Sequence, residues 1–527
     1  MQNVAIVVAL LAVVTALAEV TDKVRIPYPI LLVLAGMVIG LFPGLPVITL
    51  DPDIVFLIFL PPTLYAAAWA TSWPDFKGAK RPITQLAIGC VVFITCAVAF
   101  IAHTFIPGMG WPEAFVLGAI ISPTDAVAAT AATKGLSVPK RVITVLEGES
   151  LVNDATGLIA FRYAVAAVVG GTFNVVDAGL HFFYVAGAGI ALGFVVGFVF
   201  KWIHKITPNN PTTDTALTFI APFIAYLTSD ALQISGVLAV VVSGLYLSWH
   251  SSEIFSQQSR LQAKGAWNTI VFLLDGLIFI LIGLQLPQVT QNIEMYSLGQ
   301  MLKYGLIVSA AVIIGRIVWV YPGAYIPRWI SKGIRKREPT TFGLVTIVAW
   351  SGMRGVVSLA AALALPLTVM GGKPFPNRDL IIFLTFCVIF STLVLQGMTL
   401  RPLIRWLGIQ SDSREQVHED EARVQLASSL IEHIEENYSL ALSEDALNQI
   451  KTKYEIRIQR VRKDEIRRRL EDEEIIAFHR IQQELLHYER RLLLDMRRTG
   501  QISDEAMRRI EYELDLEETR LILERGD

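Results

Sequence analysis

The chain has 527 residues, 53% hydrophobic and only 17% charged, with a formal net charge of −2 and a mean hydropathy of +0.51. So long and apolar a chain argues against an ordinary set of soluble domains, and three cysteines, all inside apolar runs, argue against a disulfide scaffold or a cysteine metal cluster. The average hides an asymmetry: before residue 411 there are 18 acids against 25 bases, about +7, and after it 29 against 20, about −9.

Taking roughly 20 mostly apolar residues per crossing, the sequence predicts thirteen spans, at about 2–20, 28–43, 53–71, 83–106, 112–133, 141–169, 180–204, 214–229, 234–249, 265–286, 298–326, 340–370 and 379–406. The first does not read as a cleaved signal peptide, because its first bases, Lys23 and Arg25, follow the apolar run. Bases then recur on alternate connections: Lys77, Lys80 and Arg81; Lys134, Lys140 and Arg141; Lys201 and Lys205; Arg260 and Lys264; Arg328, Lys332, Arg335, Lys336 and Arg337; Arg401 and Arg405. The opposite connections hold Lys303, Lys373 and Arg378, so the bias is 19 to 3. Bases collect on the cytosolic side, which puts the N-terminus outside and the C-terminal tail in the cytosol, in the cell inner (plasma) membrane. No P-loop, HExxH, GxSxG or Rossmann fingerprint is present, so neither an enzyme nor a cofactor is expected.

Ionisable groups at membrane depth point to function, and spans five and six concentrate them. Span five contains SPTDAVA, where Pro123 removes a backbone donor just before Thr124 and Asp125 and interrupts the helix. The freed carbonyls, the Thr124 hydroxyl and carboxylates are the oxygen donors that hard cations prefer. Span six contains GESLVNDATGL. At about 100° per residue, Glu149, Ser150, Asn153 and Asp154 share an arc of about 140°, and Asp154 lies about 20 Å from Arg141 along the helix. An interhelical polar clamp is the structural alternative, disfavoured because a clamp seldom needs two acids. Arg162, about 31 Å from Arg141, reaches the outer headgroups. In span eleven, Arg316 requires a counter-charge, and Glu149 is the best candidate. Span twelve, TIVAWSGMRGVVSLAAALALP, is broken by Gly352, Arg354 and Gly355. Spans five and twelve are seven apart, so spans 1–6 and 8–13 make two inverted six-helix repeats with broken crossing helices. Arg354 would offset the buried negative helix ends where the breaks meet.

Residues 1–410 therefore form one all-α polytopic membrane domain. Residues 411–527 form a charged helical cytosolic tail with apolar residues at helical spacing, suited to packing on itself or across a dimer. Acids outnumber bases there, which disfavours nucleic acid as a partner. His433, His479 and His487 offer a pH-sensing role, against the plainer reading of solvated histidines.

The strings FLPPTLYAAAW, SPTDAVA, GESLVNDATGL and SGMRGVVSLA resemble the NhaP-type monovalent cation:proton antiporters, relatives of the animal sodium/proton exchangers. The resemblance covers about residues 1–406. It implies a homodimer in membrane lipid, each protomer with a core domain sliding against a dimerisation domain. It also implies cation ligation by Thr124, Asp125, Ser150 and Asp154, with Pro123, Glu149, Asn153, Arg316 and Arg354 in support. The Asn153–Asp154 pair is similar to that of electroneutral members. Ala66 departs from several animal exchangers, which have an acid after LPPTLY, so their regulation and inhibitor response do not carry over.

The mechanism expected is competition. Desolvation disfavours an ionised carboxylate and a bound cation favours it, so a proton and Na+ exclude one another at Asp154, and alternating access carries whichever is bound. K+/H+ exchange is the alternative within the class. A cation channel and a receptor signalling through the tail are the alternatives outside it.

Overall fold

The computed structural model describes residues 2–24, 27–42, 52–133, 136, 138–170, 175–207, 210–291, 296–337, 340–370, 372–409, 413–438, 444–462, 465–498, 501–502 and 504–525. Arg25 and Lys134, of the basic connections, lie outside the described residues, as do the side chains of Lys23, Arg335, Lys336, Arg337 and His479. The described residues are helical apart from their connections and an isolated bridge between Thr368 and Pro374. Two compact units are present, Met1–Ser411 and Asp412–Asp527.

In the first unit each predicted span falls on helix. Among the described residues, seven helices are long and apolar enough to cross a bilayer, including Lys140–Gly170, Leu298–Ile330 and Arg378–Trp406, and Ala5–Thr21, Tyr28–Gly40, Phe56–Ala70 and Gly236–Trp249 are shorter apolar helices. Local chemistry sets several starts. Proline occupies the first turn at Tyr28–Gly40, Trp111–Ile121 and Pro211–Ala231, where its missing N–H would have had no helical partner. Ser297 and Gln300 form a reciprocal capping box at the start of Leu298–Ile330.

The predicted interruptions are present. The first broken crossing runs Trp111–Ile121, then Ala126–Thr133, and the second runs Phe342–Trp350, then Val356–Leu363. Where they meet, the Asp125 amide donates to the Met353 carbonyl at 2.8 Å. Two π-helical turns, Gln85–Cys90 and Thr392–Gln396, lie in neighbouring helices, and Thr392 accepts the Arg354 amide at 3.2 Å. Helices Tyr28–Gly40 and Gln257–Gln291 touch at Gly36 and Gly283, where a Cβ on Gly36 would stand 3.0 Å from the Gly283 Cα. Small residues permit that approach in a bilayer, where packing rather than hydrophobic exclusion drives helix association.

The second unit holds the helices Ser413–Tyr438, Glu444–Arg462, Glu465–Arg498 and Asp504–Arg525. Leu486 and Leu493 pack on Met507, Leu514 and Leu521, and Arg490 reaches Asp515 and Glu518, each at 2.6 Å.

Candidate functional site

Both broken crossings leave half-helix ends inside the protein, and their stray backbone groups need partners. The buried side chains supply them. The Arg354 guanidinium, fully buried, donates through Nε to the carbonyl of Ile121, the last residue of its half-helix, at 3.1 Å, and through Nη1 to the Gly352 carbonyl. Arg316 donates to the Val348 carbonyl, near the end of Phe342–Trp350, at 3.2 Å from Nε and 3.0 Å from Nη2. Cations thus sit at both C-terminal ends, where the helix dipole favours them. At the opposite polarity, Asp125 Oδ1 accepts from the Val127 amide at 2.8 Å and Ser150 Oγ from the Ala126 amide at 3.2 Å. These two cap the start of Ala126–Thr133.

Behind the break lies an interlocked set of polar groups. Arg316 holds Glu149 in two parallel bonds, Nη1 to Oε1 at 2.5 Å and Nη2 to Oε2 at 2.8 Å, with both side chains at most 2% exposed. Thr124 Oγ1 donates to Glu149 Oε1 at 2.9 Å and accepts from Asn153 Nδ2 at 2.8 Å, while Asn153 Nδ2 also reaches the Thr124 carbonyl at 3.2 Å. Glu149 and Asn153 therefore clasp the interrupted strand from the Asp154 helix. Gly157 lets Pro123 lie against that helix, since a Cβ there would overlap the proline ring.

In front of the break opens a cavity of about 870 Å³. Pro123, Thr124, Asp125, Ser150 and Asp154 line it, and Glu149, Asn153, Arg316 and Arg354 do not. Asp125 Oδ2 has no hydrogen-bond partner among the described residues. Gly355 keeps room for it, because a Cβ at that position would collide with Oδ2. Asp125 and Asp154 thus share a mostly apolar chamber walled by side chains such as Leu64, Trp267, Phe272 and Phe279. Two carboxylates facing one such chamber need a proton or a cation between them.

Comparison with known proteins identifies the family. The family model described as "Sodium/hydrogen exchanger, transmembrane" matches residues 7–406. The chain belongs to this exchanger family. It is 33% identical to an uncharacterized Na+/H+ exchanger of Mycobacterium tuberculosis over 98% of this chain and 96% of the relative. It is 34% identical to a sodium, potassium, lithium and rubidium/H+ antiporter of Bacillus pumilus over 72% of this chain and 58% of that protein. The Na+/H+ antiporter of Aphanothece halophytica is 32% identical over 76% and 73% respectively. The fold matches a solved structure of a sodium proton antiporter from Methanocaldococcus jannaschii, with TM-score 0.62 and 19% identity, over 77% of this chain and 99% of that one. Family membership and the run of long apolar helices make the chain a multi-pass membrane transporter.

Two further acids of this exchanger reach the chamber. Asp275, in the apolar run FLLDGLIFILIG of Gln257–Gln291, and Glu147, one residue before the GES string, both line it. Asp275 stands alone in its apolar run, without the neighbouring polar face that flagged Asp154, although an acid at membrane depth is itself a signal. Arg162, by contrast, pairs with Asp230 at 3.7 Å, both half-exposed and away from the chamber.

Proposed function

We propose that this chain exchanges Na+ for H+ across the cell inner (plasma) membrane, electroneutrally, with Asp154 carrying either ion by turns. The convergence of Asp125 and Asp154 on one chamber, the first from a broken helix and the second from an unbroken one, carries the reading. Asp154 is the shared ion carrier. Asp125 joins it through the unengaged Oδ2, and Ser150 and Thr124 complete the oxygen set. Thr124 contributes a remaining lone pair or its chain neighbours' carbonyls, since its hydroxyl proton goes to Glu149. Asn153, Glu149, Arg316, Arg354 and Pro123 hold the break in shape.

When Na+ leaves, a proton takes its place on Asp154, so Asp125 and Asp154 are never both bare. Coupling follows if the protein reorients only when one ion or the other is bound. Na+ is common to the names of the relatives compared above, which favours it over K+. The thirteen-span count, the outside N-terminus, the cytosolic tail and a homodimer in membrane lipid belong to the same proposal, supported by the 19-to-3 distribution of bases. Residues 1–410 would transport, and 411–527 would regulate or steady the dimer.

The test is dissipation of a pH gradient in proteoliposomes titrated with Na+, Li+ and K+. Na+-dependent proton movement with no accompanying current supports the proposal, and movement independent of Na+ overturns it.

A further inference from the structure

The tail carries an apolar stripe that its own hairpin does not cover. On the helix Glu465–Arg498, Leu486 and Leu493 face the last helix and are buried. Ile481, Leu485, Tyr488 and Leu492 are 51%, 57%, 59% and 50% exposed. Their spacing of four, three and four residues is that of a coiled-coil seam. At about 100° per residue the centre of the stripe lies roughly 110° from Leu493, 130° from Leu486 and 170° from Arg490, so one face is taken by the hairpin and the other is open.

Charges beside the stripe choose its occupant. Glu484 and Arg491 border one side, seven residues apart, and Gln482 and Glu489 border the other. All four are solvent-facing or half-buried. In an antiparallel pair of two such helices, crossing between Leu485 and Tyr488, Ile481 meets Leu492 and Leu485 meets Tyr488. Glu484 of each copy then faces Arg491 of the other, and Gln482 faces Glu489. In a parallel pair Glu484 would face Glu489, acid against acid. The exposed contact of Glu484 with Arg480 within the same helix, at 3.9 Å, is weak and gives way readily.

We infer that the occupant is a second copy of this chain, its Glu465–Arg498 helix laid antiparallel on the Ile481–Leu485–Tyr488–Leu492 stripe. The stripe is only about three turns long, well below the roughly 800 Å² per partner of a free-standing interface. Two copies confined to one membrane meet at high effective concentration, which a short seam can exploit. The inference rests on the homodimer proposed above only in requiring two copies in one assembly.

The experiment uses the full-length protein in membranes. Leu485→Cys and Tyr488→Cys chains carrying different tags are co-expressed and oxidised, with the parent protein as control, and the mass of the solubilised protein is measured alongside. A disulfide between the differently tagged chains is expected, exceeding the yield of either variant oxidised alone. Glu484→Arg should lower that yield about tenfold, and E484R/R491E should restore it, because attraction turns to repulsion and back at two symmetric places. A parallel pair would give like-with-like disulfides and a gain with Glu484→Arg, which overturns the antiparallel assignment. A dimeric mass without the cross-link overturns the tail seam while sparing the dimer, and a monomeric mass overturns both. Disulfides insensitive to Glu484→Arg, as for a stripe lying on lipid or on another helix of the tail, also overturn it.

Discussion

At the residue scale the chamber separates groups that meet the ion from groups that hold the backbone. Asp154 belongs to the first kind. Asp154→Asn keeps the shape and removes the ionisable oxygen, so Na+-dependent proton movement should fall to the level of protein-free vesicles while gel-filtration behaviour is unchanged. Asp125→Asn retains the Oδ1 cap on Val127 and should raise the apparent Na+ KM about tenfold, the worth of one charge-assisted contact. An unchanged KM would remove Asp125 from the ligand set. Asp275 also lines the chamber, so Asp275→Asn should shift the Na+ dependence by a few-fold and leave thermal stability alone, whereas identical KM and pH profile would exclude it from the ion path. Glu149 and Arg316 belong to the second kind. Removing one partner strands the other charge in the interior, so Arg316→Ala should destabilise by about 3–5 kcal/mol in a thermal or denaturant titration. The Glu149–Arg316 pairing was legible from sequence because a buried arginine requires an acid and the polar face of span six offered two, Glu149 and Asp154. That Thr124 is clamped between Glu149 and Asn153, and that Ser150 caps a half-helix, depended on side-chain directions across two helices.

At the element scale, three of the four stray ends of the broken crossings are answered by side chains: arginines at the two C-terminal ends, Asp125 and Ser150 at one N-terminal end. Pro123 announces the first interruption and the Gly352–Gly355 string the second, so the breaks were readable without coordinates. Their partners were only half readable. Arg354 was expected to offset negative ends, but its target, the Ile121 carbonyl, lies 233 residues away. Gly355 illustrates how tightly the elements mesh. Gly355→Ala places a methyl within 3.0 Å of Oδ2, Cγ and Cβ of Asp125, and because Cβ is fixed to the backbone the break itself must shift. Exchange should therefore drop by an order of magnitude or more together with the melting temperature. Unchanged exchange and melting temperature would show that the two breaks do not mesh at this point.

At the scale of the whole molecule, two compact units divide the chain near residue 411, and the chamber is lined wholly by the first. Truncation after that residue should leave Na+/H+ exchange in proteoliposomes, with a shifted pH response or a weakened dimer. Complete loss of transport would tie the tail to the ion cycle itself. Right-side-out vesicles should protect the tail from added protease, since the proposed topology puts 19 of 22 connecting bases on its side.

Composition and periodicity by themselves determined the helical membrane character, the two interruptions and the acids of spans five and six. Each is written locally, as about 20 apolar residues, as proline or glycine within them, or as a charge where charge is expensive. Tertiary structure alone decided which of those acids face one chamber and which are consumed in scaffolding, and it added Asp275 from a helix more than a hundred residues downstream. Which face a helix turns towards a neighbour, and how far along it the neighbour crosses, depends on packing between distant segments.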